Sequence, residues 1–180
     1  MATAFAAGVR RPGMPTGWFL LAALLVVGCV GGGVSLSERE KQGETNSSST
    51  LQDQGGTVTE KTYPPYGSGY EVKLSGAQVN DATFTHLKKL QRVAELDLSR
   101  SSITDEQMGQ LNEVANLLVR LDLSSTAVTD EGLEKLTNTY VLFNLNLAGT
   151  KCTPAGVERF KAKRLASPHT RVKNPNVKLK

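Results

Sequence analysis

A motif that returns every 24 or 25 residues constrains this 180-residue chain more than any other feature. Val72-Lys73-Leu74-Ser75, Leu96-Asp97-Leu98-Ser99, Leu121-Asp122-Leu123-Ser124 and Leu145-Asn146-Leu147-Ala148 recur at intervals of 24, 25 and 24 residues. A period of this size predicts stacked units, each too small to bury its own apolar side. Alternate residues within each tetrapeptide are apolar, which predicts a short strand with one face turned inward.

Five residues beyond the second apolar position of each strand stands another apolar column, Val79, Ile103, Val128 and Cys152. It is followed by Asn80-Asp81, Thr104-Asp105, Thr129-Asp130 and Thr153-Pro154, which have the character of helix starts. Asn and Thr cap unpaired amides, an acid suits the positive helix end, and Pro is tolerated where its missing N–H needed no partner. Thr104 and Gln107 have capping-box spacing. Two further columns, Phe84, Met108, Leu133, Val157 and Leu87, Leu111, Leu136, Phe160, lie three residues apart and so share one helix face. Cys152 occupies an apolar column, where a buried thiol packs as a small hydrophobe. A disulfide between it and Cys29 is not expected.

The unit Leu-x-Leu-x-x-Thr-x-Val/Ile-Thr-Asp-x-Gly-Leu, nearly intact from Leu121 to Leu133, resembles the leucine-rich-repeat superfamily. More closely, it resembles the bacterial Thr-Asp-x-Gly-Leu type, similar in fold to ribonuclease inhibitor and common in predicted lipoproteins of planctomycetes. The resemblance covers residues 70–160 as four repeats. It implies an α/β solenoid with parallel strands on the concave face and helices on the convex face. Gly132 and Gly156 keep the pattern's glycine, whereas Thr83 and Gln107 replace it. The second unit also carries one extra residue between Leu111 and Leu121. The first unit, with no recognisable cap before it, is expected to cover its own edge with the segment around Tyr63 to Tyr70.

The outward positions of the strands are where a ligand would be met. Strand alternation assigns to this face Glu71, Lys73 and Ser75, then Glu95, Asp97 and Ser99, then Arg120, Asp122 and Ser124, then Asn144, Asn146 and Ala148. The partner-binding set expected from it is Lys73, Glu95, Asp97, Ser99, Arg120, Asp122, Ser124, Asn144 and Asn146. Parallel strands lie about 4.8 Å apart, so Asp97 and Asp122 should be neighbours, with Lys73 and Asn146 outside them. Two such carboxylates invite a cation or a basic partner group; alternatively, Leu-Asp-Leu is only this repeat's solvated strand.

Nothing in the sequence spells catalysis. The only histidines, His86 and His169, fall in no triad or metal motif, and no phosphate-binding glycine loop or paired-cysteine spacing is present. No catalytic residue, metal site or cofactor is expected, and the function class favoured is a protein-binding module whose partner the sequence does not name. No particular residue points to an oligomer.

The N-terminus places Arg10 and Arg11 before the apolar run Trp18 to Val27, followed by small residues around Cys29. This is the layout of a secretory signal. Ten apolar residues extend only about 15 Å as a helix, about half a bilayer core. Val26-Val27-Gly28-Cys29 resembles a bacterial lipobox, which implies lipidation of Cys29 and a membrane anchor at the cell envelope, facing the periplasm or exterior. The expected organisation is a lipoprotein-type signal peptide over residues 1–28, a disordered polar tether over 29–69, the repeats over 70–160, and a basic C-terminal cap or tail over 161–180. The tether's Ser, Thr, Gln, Glu and Gly, with few aliphatics, underlie its assignment as unfolded. A structural or surface-coat component remains an alternative, as does an intracellular adaptor if the leader is not exported.

The formal charge of +4 is concentrated at the end of the chain. Residues 161–180 hold seven Lys and Arg and no acid, whereas residues 29–160 hold 12 basic against 17 acidic groups. No aromatic interleaves the tail's charges to stack on a base, so nucleic acid is not an expected partner. Val172 or Val177-Lys178-Leu179 could supply a closing strand.

Overall fold

The computed structural model describes residues 36–180 apart from residues 65, 66, 137, 138 and 173. The expected signal peptide and Cys29 lie outside the described residues. The protein is mixed α/β: helices packed against a six-stranded sheet whose strands follow one another in chain order. The elements are α1 (Leu36–Asp53), β1 (Thr57–Tyr63), β2 (Gly67–Lys73), α2 (Asp81–Lys89), β3 (Val93–Asp97), α3 (Asp105–Met108), β4 (Arg120–Asp122), α4 (Asp130–Lys135), β5 (Asn144–Asn146), α5 (Pro154–Ala166) and β6 (Asn176–Lys178). Strand β1 pairs with β2 antiparallel, and each later pairing through β6 is parallel.

The apolar columns form the core. Both inward residues of each repeated strand are buried, from Val72 and Leu74 to Leu145 and Leu147. So are Val79, Ile103 and Val128, and so are both helix columns from Phe84 and Leu87 to Val157 and Phe160. Cys152 departs from its column by being half-buried, its thiol 3.8 Å from the Val128 carbonyl. A hydroxyl at the next repeat position sustains each turn after a strand: Ser101, Thr126 and Thr150 donate to the carbonyls of Leu98, Leu123 and Leu147 at 2.6, 2.7 and 2.7 Å. In the first two units after β2 these hydroxyls are enclosed, so the bond replaces lost solvation.

The polar segment expected to remain an unfolded tether is corrected by the structure from Leu36 onward. Leu51 is fully buried against the core, and α1 packs beside α2. Gly55, at φ 82°, and Gly56 end α1 by donating to the carbonyls of Gln52 and Leu51 at 2.9 and 3.1 Å, a Schellman closure. A Cβ on Gly56 would lie 2.6 Å from the Leu74 side chain, so the chain crosses the core edge only with glycine there. The following hairpin pairs all seven residues of β1 with β2, from Thr57↔Lys73 to Tyr63↔Gly67. An edge strand may stay polar on its exposed positions, and so average composition conceals it.

At the other end, the closing strand is centred on Val177, which pairs with Leu145, rather than on Val172. Arg164, buried in the last turn of α5, donates to Thr139 and to the Val172 carbonyl and so joins α5 to the segment between α4 and β5 and to the one between α5 and β6.

The starts of α4 and α5 are braced by the preceding unit. Asp105 accepts from the backbone N–H and hydroxyl of Thr129, the cap of α4. Asp130 accepts likewise from Thr153, the cap of α5, both at 2.7 Å. These two Thr153 bonds, and then Arg159, hold the Asp130 carboxyl below the usual carboxylate range. Each carboxylate sits where the next helix carries glycine: a Cβ on Gly132 would collide with Asp105, and one on Gly156 with Asp130. Where Gln107 stands at that position, its own Oε1 accepts from Thr104 N at 3.1 Å, and Asp81 turns to Gln110 instead.

Gly132→Ala is therefore expected to destabilise the fold by about 1–3 kcal/mol through overpacking. In a urea-denaturation cycle the alanine should cost less when Asp105→Ala has already removed the carboxylate. An equal cost in both backgrounds would refute the interlock.

Candidate functional site: the outer face of the sheet

Because the pairings from Glu71 onward keep one register, beyond a shift between Tyr70 and Glu71, the outward residues form rows running across the strands. One row is Glu71, Glu95, Arg120, Asn144 and Asn176; the next is Lys73, Asp97, Asp122, Asn146 and Lys178. All nine residues expected to form a partner surface lie on this face, Ser99 and Ser124 two positions beyond Asp97 and Asp122. Lys73 and Arg120 are the most open, with side chains 54% and 59% exposed.

Asp97 and Asp122 are direct register partners, as expected, with Lys73 and Asn146 on either side. Each nevertheless turns toward the end of its own strand. Asp97 Oδ1 accepts from Ser99 N at 2.9 Å, Asp122 Oδ1 from Ser124 N at 2.9 Å, and Asn146 Oδ1 from Ala148 N at 3.2 Å. A side-chain oxygen that accepts the N–H two residues on closes a local turn, which explains why Asp and Asn both serve here. Asp122 also accepts from Ser124 Oγ at 2.6 Å and, through Oδ2, from Asn146 Nδ2 at 2.9 Å. Burial works against its charge, but the Ser124 and Asn146 bonds and the Lys178 cation outweigh it and lower its pKa.

The first row is neutralised pairwise. Glu71 meets Lys61 at 2.7 Å and Lys73 at 3.4 Å, and Arg120 meets Glu95 at 3.6 Å. The Lys61 bond is the main reason that the Glu71 carboxyl titrates below its ordinary value. Tyr63 on β1 adds a phenol whose pKa is pushed up to about 12, by burial first and by the Glu95 carboxylate second. Ser75 and Ser99 hydroxyls lie 2.8 Å apart at the strand ends. Two open hollows of about 260 Å³ each lie on this face, one reaching from Glu71 to Asp122 and the other from Arg120 to Lys178.

Sequence reasoning omitted Lys61, Tyr63 and Asn176, which β1 and β6 add to the face. Lys61 and Tyr63 alternate in Thr57–Tyr63, but that signal was submerged in a polar stretch. His86 is half-buried on α2 and His169 is exposed in the loop after α5, both away from these rows. Among the described residues, no group of three or more His, Cys, Asp or Glu is placed to hold a metal ion. No helix among them is long and apolar enough to cross a membrane.

No protein-family model matches the chain, and no curated protein matches it significantly.

Asp122 provides a titration test. Its folded pKa is lowered, so its contribution to stability is complete above the unfolded value of about 3.9 and is lost as pH falls through the folded value. Asp122→Asn is expected to fold, since Asn146 makes the same turn. Its urea midpoint should fall less steeply than that of the unaltered protein between about pH 4 and pH 2.

Proposed function

We propose that residues 70–160 are a short leucine-rich-repeat solenoid of the bacterial Thr-Asp-x-Gly-Leu type, and that its strand face binds a protein partner without catalysing a reaction. The observation that carries this reading is the pair of polar rows held in register across five strands and left open to solvent. A rigid backbone presenting about ten polar side chains at fixed spacing suits recognition, because little side-chain and loop order is lost on binding. The mixture of acids and bases, fixed in place by the strand register, suits a partner of complementary pattern and disfavours mismatched ones. The chemistry of the face gives no comparable support to an enzyme: its Ser124 hydroxyl meets the Asp122 carboxylate at 2.6 Å, but that carboxylate is committed to the Ser124 N–H and to Asn146.

In the same reading Cys29 is lipidated and anchors the module at the bacterial cell envelope, facing the periplasm or exterior. Sulfur-linked diacylglycerol together with an N-acyl chain would exceed the single-chain threshold for stable anchoring. Labelled palmitate should enter the chain in a bacterial host and be lost on Cys29→Ser; incorporation that survives the substitution would reject the anchor.

The binding surface is tested with the full chain as bait in envelope extract, beside Lys73→Glu with Arg120→Glu. Both side chains are exposed and neither closes a strand turn, so the variant should retain the thermal transition of the unaltered chain. A stoichiometric partner captured by the unaltered chain and lost, or weakened by about tenfold or more, with the variant is the expected result. Equal capture by both would remove the face from the binding surface, and absence of any saturable partner would favour a structural or coat role.

A further inference from the structure

A second candidate site lies at the far end of α5, away from the polar rows. Leu136, Tyr140, Phe160, Lys163, Arg164, Ser167 and His169 enclose a cavity of about 270 Å³. That volume is near the small end of ligand pockets, roughly 300–1,000 Å³. Among the described residues, the lining contains an ammonium, a guanidinium and an imidazole, but no carboxylate. Arg171 stands at an adjoining hollow that shares Tyr140 and His169.

Arg164 is the unusual member. It is 3% exposed and lies over the Phe160 ring, with its guanidinium carbon 5.5 Å from the ring centroid. Its partners are the Thr139 carbonyl and hydroxyl and the Val172 carbonyl at 2.8 Å, all neutral oxygens. Its Nε–H has no hydrogen-bond partner among the described residues. A buried cation is ordinarily paired, because neutral acceptors and a helix C-terminus offset only part of the lost hydration. Burial lowers its pKa to about 10, which leaves it charged at neutral pH. The lining thus combines an uncompensated buried cation with two more basic groups at the rim and an apolar wall. Lys163 Nζ donates to the Glu134 carbonyl at 3.1 Å, and His169 meets the Tyr140 ring edge to face at 6.3 Å between centroids, so both rim groups are positioned.

We propose that this cavity binds a small organic anion, an oxyanionic head on an apolar body, with the head against Lys163 and His169 at the rim, drawn by the buried Arg164 charge behind them, and the body against Leu136, Tyr140 and Phe160. A carboxylate and a phosphate monoester share the chemistry that such a head requires, since an ammonium donates charge-assisted hydrogen bonds to either.

The test uses the full chain with benzoate, phenyl phosphate and, as an uncharged counterpart, benzamide. Calorimetry and thermal unfolding measure binding, and amide chemical shifts locate it. Benzoate or phenyl phosphate should bind saturably, raise Tm, and shift residues of the loop from Thr139 and of the end of α5; the tighter of the two identifies the head group. Lys163→Gln and His169→Gln, both at exposed positions, should leave the unliganded Tm unchanged and together weaken binding by about tenfold or more. Arg120→Glu on the sheet face should leave it unaltered, which separates this site from the proposed protein-binding surface. Absence of saturation with both anions, an equal response to benzamide, affinity unchanged in the Lys163 and His169 variant, or shifts confined to the sheet face would each overturn the proposal.

Discussion

The joint between one unit and the next is an aspartate carboxylate lodged beneath the start of the following helix. Asp105 and Asp130 each satisfy the N–H and hydroxyl of the threonine that begins the next helix, and each occupies the volume a side chain on that helix would need. Thr-Asp and Gly are therefore two halves of one contact, contributed by consecutive units. Each threonine caps its own helix, at Glu131 N and Gly156 N, and the neighbour's carboxylate holds that threonine in place, which couples the layers beyond the burial of leucines. The two ends follow the same logic. Thr153 is followed by Pro154 where the three preceding units have Asp81, Asp105 and Asp130. At the beginning, Gln54 from α1 stands 3.3 Å from the Thr83 hydroxyl, so the added helix supplies polar contact where a preceding unit would have done so.

How much of this was legible depended on whether a residue's environment repeats. The strand and helix columns could be found because each position meets the same surroundings every 24 or 25 residues, so leucine or a close substitute returns there. The outward rows followed from strand alternation alone. Helix α1 was invisible to the same reasoning: it has no continuous apolar stripe, and its anchorage depends on Leu51, the Schellman closure at Gly55 and Gly56, and the tight crossing over Leu74. None of these has a periodic signal. The reciprocal relation between Asp105 and Gly132 was likewise hidden, because it joins residues 27 apart through space and both had a sufficient local explanation, one as a helix-end charge and the other as a feature of the motif.

The expected repulsion between Asp97 and Asp122 also changes character once the backbone is known. The carboxylates oppose each other in register, but each is committed to an amide at the end of its own strand, and Asp122 is further tied to Asn146. The acidic pair is thus part of the scaffold that holds the strand ends, while Lys73 and Arg120 are exposed and close no strand turn. That division separates residues that shape the surface from those able to rearrange toward another molecule.

The sheet's two margins are made differently: a seven-residue antiparallel hairpin closes one, and the three-residue parallel β6 closes the other. Between them β3, β4 and β5 each align three successive residues with both neighbours, Glu95–Asp97, Arg120–Asp122 and Asn144–Asn146. The surface can therefore change width only in whole steps of one strand, about 4.8 Å each, by gain or loss of an interior unit. Neither margin would need to be rebuilt. A strand added at either edge, by contrast, would first have to unmake the hairpin or displace β6.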